Sequence, residues 1–109
     1  MGNFRTLDLA IEFYDRIGKI ELKGHMRDQL DRAASSIALN LSEGNAKRTP
    51  KEKRRYYHTA YASSQECKTI LKLVKNSDSE IAGLLDHLAA SVFRLMNAEI
   101  RTLQYTDDC

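Results

Sequence analysis

The clearest chemical feature of this chain is a run of cations from Lys47 to Arg55. Six of its nine residues are lysine or arginine and one, Glu52, is acidic, so the run carries a charge of +5. The whole chain carries +2, which leaves −3 for all other residues. Positive charge concentrated in this way indicates a surface that contacts phosphate groups, although a solvated helix end would have the same composition. The run alone leaves both interpretations open.

Six side chains could make these phosphate contacts: Lys47, Arg48, Lys51, Lys53, Arg54 and Arg55. Tyr57 and Tyr61 are one helical turn apart and are expected to border the same face, where aromatic rings beside cations suit stacking with bases. Cations in the first turn of a helix oppose its dipole, and a bound anion would compensate for this.

A second set of polar residues has a spacing that could support acid–base chemistry. Asn40 and Glu43 lie three residues apart at the edge of one apolar stripe, and Ser63 and Glu66 hold similar positions on the next segment. The two carboxylates could act as acid and base. Alternatively, the four side chains form a structural polar network that fixes the register of two helices. Because no histidine or cleft accompanies them, the structural network is favoured.

Motifs for metal-dependent or nucleophilic catalysis do not occur in the sequence. None of the seven glutamates is followed by histidine three residues later, as a di-iron bundle requires, and the three histidines share no ligand spacing. Ser35, Ser36, Ser63 and Ser64 lie within helical segments, and the five glycines form no phosphate-binding loop. We therefore predict no catalytic residues, no cofactor and no metal site.

Cysteine usage and hydropathy bear on the compartment. Cys67 and Cys109 are too few and too isolated for a disulfide framework, which favours a reducing environment. Cys67 lies on an expected apolar face, where its thiol should resist ionisation. No apolar run reaches the ~18 residues of a membrane span, and the N-terminus lacks a signal-peptide core. These features predict a cytoplasmic protein that does not contact membranes.

Four amphipathic segments account for nearly the whole chain, and no alternating strand pattern is present. The predicted helices cover about residues 3–20, 24–43, 50–75 and 78–105 of a single domain, residues 1–109. Four helices joined by short connections predict an all-α fold, an antiparallel up-down-up-down four-helix bundle.

Residues at the segment ends predict the helix boundaries. Gly44 and Asn45 tolerate a left-handed backbone and are expected to end the second helix. Thr49 is the expected N-cap of the third helix. A capping box formed by Ser77 and Glu80 is expected to begin the fourth.

The apolar stripes of the first and fourth helices are wider than one bundle core needs. In the first helix, Phe4, Leu7, Ile11 and Tyr14 fall together on the helical wheel, and further apolar residues widen the arc past half the circumference. The surplus either stays exposed or packs against a second copy of the chain. The width of the stripes favours an oligomer.

Two segments that flank the basic run resemble a known family. They read DQLDRAASSIALNLSEG and HTAYASSQECKTILKL. Both are similar to the four-helix-bundle proteins encoded by intervening sequences in bacterial 23S ribosomal RNA genes. The matching positions are Gln29, Leu30, Arg32, Ala33, Ser36, Ile37, Asn40, Glu43 and Gly44 in the first segment, and Ala60, Ser63 and Glu66 in the second.

The resemblance implies an antiparallel bundle that assembles as a ring-like homopentamer and has no established enzyme activity. A related accessory protein of diversity-generating retroelements looks like the same bundle and pentamer, and its basic surface binds nucleic acid and a reverse transcriptase. A ring would repeat the basic run around an axis and increase the number of phosphates reached. The expected function is nonspecific binding of nucleic acid, and RNA is the expected ligand. The alternative is a structural or adaptor oligomer that binds another protein.

Overall fold

The computed structural model consists of four α-helices joined by short connections. It describes residues 4–107, with side chains described for residues 4–98. The helices are α1 (Arg5–Ile17), α2 (Gly24–Ala46), α3 (Pro50–Leu73) and α4 (Ser79–Asp107). No strand occurs among the described residues, so the predicted all-α class is confirmed. Within the same range, none of the helices has an apolar stretch sufficient to cross a membrane.

A common core lies between the four helices. α2 packs against α1 and α3, and α4 packs against α3 and α1. The core side chains from three of these helices include Phe13, Ile37 and Leu88, which are fully buried. Burying a side chain of this size contributes about 1.5–3 kcal/mol, so packing of the apolar faces contributes more to helix stability than intrinsic propensity does.

α1 ends at Ile17, three residues before the predicted end, and a side chain from the next helix binds carbonyls at this end. The Arg27 guanidinium donates hydrogen bonds to the Ile17 carbonyl at 3.0 and 3.1 Å and another to the Ile20 carbonyl. It also pairs with Asp31 at 2.7 Å. A cation here satisfies carbonyls that lack partners within the helix and complements the negative end of the helix dipole.

α2 continues to Ala46, past the glycine that was expected to end it. Gly44 is helical and buried. A Cβ atom built on Gly44 would lie 2.8 Å from Cε1 of Tyr57 and 2.9 Å from Cβ of Tyr56. The prediction that Gly44 stops the helix was therefore wrong. The missing side chain serves the close approach of α3 and not a left-handed backbone.

α3 begins where the sequence predicted. The Thr49 hydroxyl accepts a hydrogen bond from the Glu52 backbone N–H at 3.2 Å and donates one to the Glu52 carboxylate at 3.0 Å. Pro50 occupies the first helical position, where its missing N–H costs nothing. Thr49 is confirmed as the N-cap, so α3 begins within the basic run, directly after Arg48 and Thr49.

α4 begins with a different cap from the predicted one. The Asp78 carboxylate accepts hydrogen bonds from the backbone N–H groups of Glu80 at 2.9 Å and Ile81 at 3.2 Å. The prediction of a capping box formed by Ser77 and Glu80 was therefore wrong. Serine and aspartate are about equally good N-caps, so the local pattern could not distinguish two adjacent candidates.

Candidate nucleic-acid interface

The six predicted phosphate contacts lie where α2 ends and α3 begins. Lys47 and Arg48 lie in the connection, and the other four belong to the first six residues of α3. The Thr49 cap and the Gly44 contact with α3 hold this corner in place. The structure thus brings all six cations around one helix N-terminus, but only some of them contact other groups of the protein.

Two of the six cations are engaged within the fold. Nζ of Lys53 donates a hydrogen bond to the carbonyl oxygen of Asn45 at 3.0 Å and a longer one to that of Gly44 at 3.4 Å. Lys53 therefore satisfies the C-terminal carbonyls of α2, as Arg27 does for α1. Nζ of Lys47 lies 5.1 Å from the centre of the Tyr56 ring, within cation–π distance.

The other four cations are Arg48, Lys51, Arg54 and Arg55, here termed the basic surface. Arg54 is half-buried and the remaining three are exposed. Within the described residues, their side chains make no ion pair or hydrogen bond. Their charge is uncompensated at the positive end of the α3 dipole, which makes the corner a favourable place for an anion.

The tyrosines beside the basic run are placed differently from the prediction. Tyr57 is 3% exposed and belongs to the core, so the prediction that it borders the basic face was wrong. Its ring packs over Gly44, whose missing side chain leaves the space that the ring occupies. Tyr61 is half-buried, and its ring centre lies 5.6 Å from that of Phe93 on α4. The spacing of three residues between Tyr57 and the buried Ala60 was a sequence signal for the burial of Tyr57, as was the glycine at position 44.

Asn40 and Ser63, two members of the predicted polar network, are linked through a third side chain. The Ser63 hydroxyl donates to the Ser36 hydroxyl at 2.9 Å. The Asn40 amide donates to the same hydroxyl at 3.1 Å and to the Ser36 carbonyl at 2.8 Å. The link joins α2 to α3. Ser36 was missing from the predicted network, although its place one helical turn before Asn40 could have identified it.

The two carboxylates of the predicted network lie outside this link. Glu43 and Glu66 are exposed, and their side chains form no hydrogen bond or ion pair with other described residues. Neither carboxylate forms a hydrogen bond with Asn40 or Ser63.

Cys67 is buried between the helices and is chemically protected. Burial and, to a smaller extent, the negative charge of Glu66 together raise the pKa of its thiol to about 12. The thiol is therefore protonated at neutral pH, as the sequence predicted. Cys109 lies outside the described residues. Among side chains 4–98, no group of three or more histidine, cysteine, aspartate or glutamate residues comes together as a metal site.

Neighbouring lysines on α3 should have opposite effects on stability. Lys53→Met removes the charged cap of α2, so we expect the free energy of unfolding to fall by about 1 kcal/mol. Lys51→Met removes an unpaired cation from the positive end of the α3 dipole, so we expect stability to stay constant or rise by about 0.3 kcal/mol. Urea denaturation measures both variants, and equal losses would contradict the capping role of Lys53.

Comparison with known proteins adds one result. A family model described as 23S rRNA-intervening sequence protein matches residues 5–98, which includes the basic surface and the Ser36–Ser63 link. No curated protein matches the chain.

Proposed function

Since the chain belongs to the family of 23S rRNA-intervening sequence proteins, we propose that it is a non-enzymatic protein that binds nucleic acid, RNA foremost, through the basic surface. The family has no known catalytic role. The family name itself refers to an RNA gene and does not state what the protein binds. The proposal therefore rests on the geometry of this chain.

One observation carries the proposal, the unpaired charge of the basic surface. Elsewhere in the described structure, Arg16, Arg27 and Lys68 have acidic partners within 4 Å, and the cations without an ion pair are scattered along the chain. At the start of α3, four cations have none, although acidic residues there would also relieve the helix dipole. Phosphate groups would supply the missing negative charge. Contacts of this kind position a nucleic acid without reading its bases, so we expect little sequence specificity.

We also propose the antiparallel up-down-up-down arrangement of the four helices. Thr6, near the start of α1, has its hydroxyl 2.6 Å from that of Ser91, near the middle of α4. Arg16, near the end of α1, lies 3.9 Å from Glu80 at the start of α4. This opposite order of contacts supports antiparallel packing of α1 and α4, and the short connections support it for the other pairs.

We further propose that the bundle assembles as a ring-like homo-oligomer. Ile11 is 54% exposed and Tyr14 is 44% exposed, and both lie on the same side of α1. Large apolar side chains exposed together favour a contact between subunits. The number of subunits, five, comes from the family resemblance. Within a bacterial cytoplasm, such a ring would present several copies of the basic surface to one RNA.

The salt dependence of RNA affinity tests the proposed function. With a 20-nucleotide unstructured RNA, we expect the Kd to rise about 50-fold between 50 and 200 mM salt, since four phosphate contacts give a slope near −3. Fluorescence anisotropy provides the measurement, and an uncharged peptide nucleic acid of the same sequence is the control ligand. No binding at 50 mM salt, or an affinity that barely changes, would contradict phosphate contact.

The second candidate function is a structural or adaptor oligomer that binds another protein. The exposed apolar residues Ile11 and Tyr14 favour it, because an apolar surface suits contact with a protein and not with phosphate groups. Under this alternative, sedimentation would show the oligomer while RNA binding would be absent. RNA binding that depends on the basic surface favours the first candidate.

A further inference from the structure

A groove between α3 and α4 contains an aromatic pair, of which Tyr61 is half-buried and Phe93 is exposed. The ring centres of Tyr61 and Phe93 are 5.6 Å apart and the rings are tilted by 50°. Phe93 is 45% exposed, a large fraction for an aromatic ring that already has one ring neighbour. Ala89 and Ala90 line the groove of about 410 Å³ beside it, and their small side chains leave room for a flat ligand.

Tyr61, the α3 member of the aromatic pair, lies on the same face of α3 as part of the basic surface. Arg54, His58, Tyr61 and Lys68 follow helical spacings of four, three and seven residues and therefore share one face. At 1.5 Å per residue, Arg54 and Lys68 each lie about 10 Å from Tyr61 along the axis, on opposite sides.

The charge around the groove favours an anionic ligand that approaches from the Arg54 side. Arg94 lines the groove and has no ion pair among the described residues. Asp86 is the acidic residue of the lining, and it is paired with Lys68 at 3.1 Å. The uncompensated charge of the lining is thus positive, which favours an anionic ligand over a neutral or basic one. The ring pair beside it favours a nucleic acid over an acidic peptide, because a base can stack on an aromatic ring.

We propose that the Tyr61–Phe93 pair is a stacking site for an unpaired base. This inference rests on the proposed function and narrows its ligand to RNA with a single-stranded segment that runs from the basic surface along α3. Bases inside a duplex are stacked on each other and do not present their faces, whereas unpaired bases stack on aromatic side chains.

A comparison of single-stranded and duplex RNA tests this site. The probes are a 12-nucleotide single strand with 2-aminopurine at its centre and a blunt duplex of the same sequence. Phe93→Leu keeps an apolar side chain but removes the ring, so we expect single-strand affinity to fall about fivefold or more. Duplex affinity and the salt slope should stay constant, because no phosphate contact is lost. Binding to the parent protein should change the 2-aminopurine fluorescence, and the variant should abolish that change.

Leu73→Ala is the matched control, since Leu73 is 65% exposed on α3 at a distance from the ring pair. It should leave both affinities unchanged, and Tyr61→Leu should reproduce the effect of Phe93→Leu. Unchanged single-strand affinity in Phe93→Leu would overturn the stacking site and leave the basic surface intact as an RNA contact. Equal losses on single strand and duplex would also overturn it. Absence of binding to either RNA by the parent protein would overturn the proposed function itself.

Discussion

Gly44→Ala lowers the free energy of unfolding by about 1–3 kcal/mol, although glycine to alanine within a helix ordinarily raises it by about 1 kcal/mol. The added Cβ would lie 2.8 Å from the Tyr57 ring and 2.9 Å from Cβ of Tyr56. The Tyr56 atom is attached directly to the α3 backbone, so relief requires α2 and α3 to move apart. Urea denaturation measures the loss, and each 1 kcal/mol should lower the Tm by about 4–8 °C in a domain of this size.

Gly83→Ala is the matched control for this prediction. Gly83 is also helical, but it is exposed, and a Cβ there would meet no atom within 4 Å. Alanine at position 83 should therefore stabilise the protein by about 0.5–1 kcal/mol through helix propensity alone. A similar gain in both variants would show that α2 and α3 are not in close contact at Gly44.

Much of the fold could be predicted because it depends on local signals. The 3.6-residue periodicity identifies all four helices, and the Thr49 cap lies next to the residues it serves. Arg27 and Lys53 could not be predicted in the same way. Each satisfies the C-terminal carbonyls of the preceding helix, an interaction set by how the two helices pack. Residue spacing within one helix carries no information about such a contact.

The candidate site shows the same division between local and tertiary effects. The position of the basic run was evident from composition, but its separation into structural and free cations depends on where the end of α2 lies. Tyr57 packs in the core against Gly44, which has no side chain to exclude the ring, so this contact depends on both helices. Ser36 connects Asn40 to Ser63, while Glu43 and Glu66 remain at the surface. The hydrogen bond between Ser63 and Ser36, which joins two helices, thus requires the packed structure.

Replacement of Lys51, Arg54 and Arg55 with serine weakens RNA binding on the order of 100-fold at about 0.1 M salt. The three side chains are unpaired in the described structure, so the bundle should fold as before. The salt slope should also become shallower by about 2, because each lost phosphate contact contributes about 0.7 for a single strand. Anisotropy at several salt concentrations measures both quantities, and circular dichroism checks the fold.

A second triple variant separates a local contact from the effect of net charge. Replacement of Lys19, Lys23 and Lys75 with serine also removes three positive charges, but from exposed positions outside the basic surface. These residues lie near the opposite end of the helices, about 30 Å or more from the basic surface, since α2 and α3 rise 1.5 Å per residue. The screening length at 0.1 M salt is about 10 Å, so this variant should bind RNA nearly as well as the parent. Equal losses in the two triple variants would mean that total charge governs binding. Unchanged RNA affinity in the variant of Lys51, Arg54 and Arg55 would mean that RNA does not contact the start of α3.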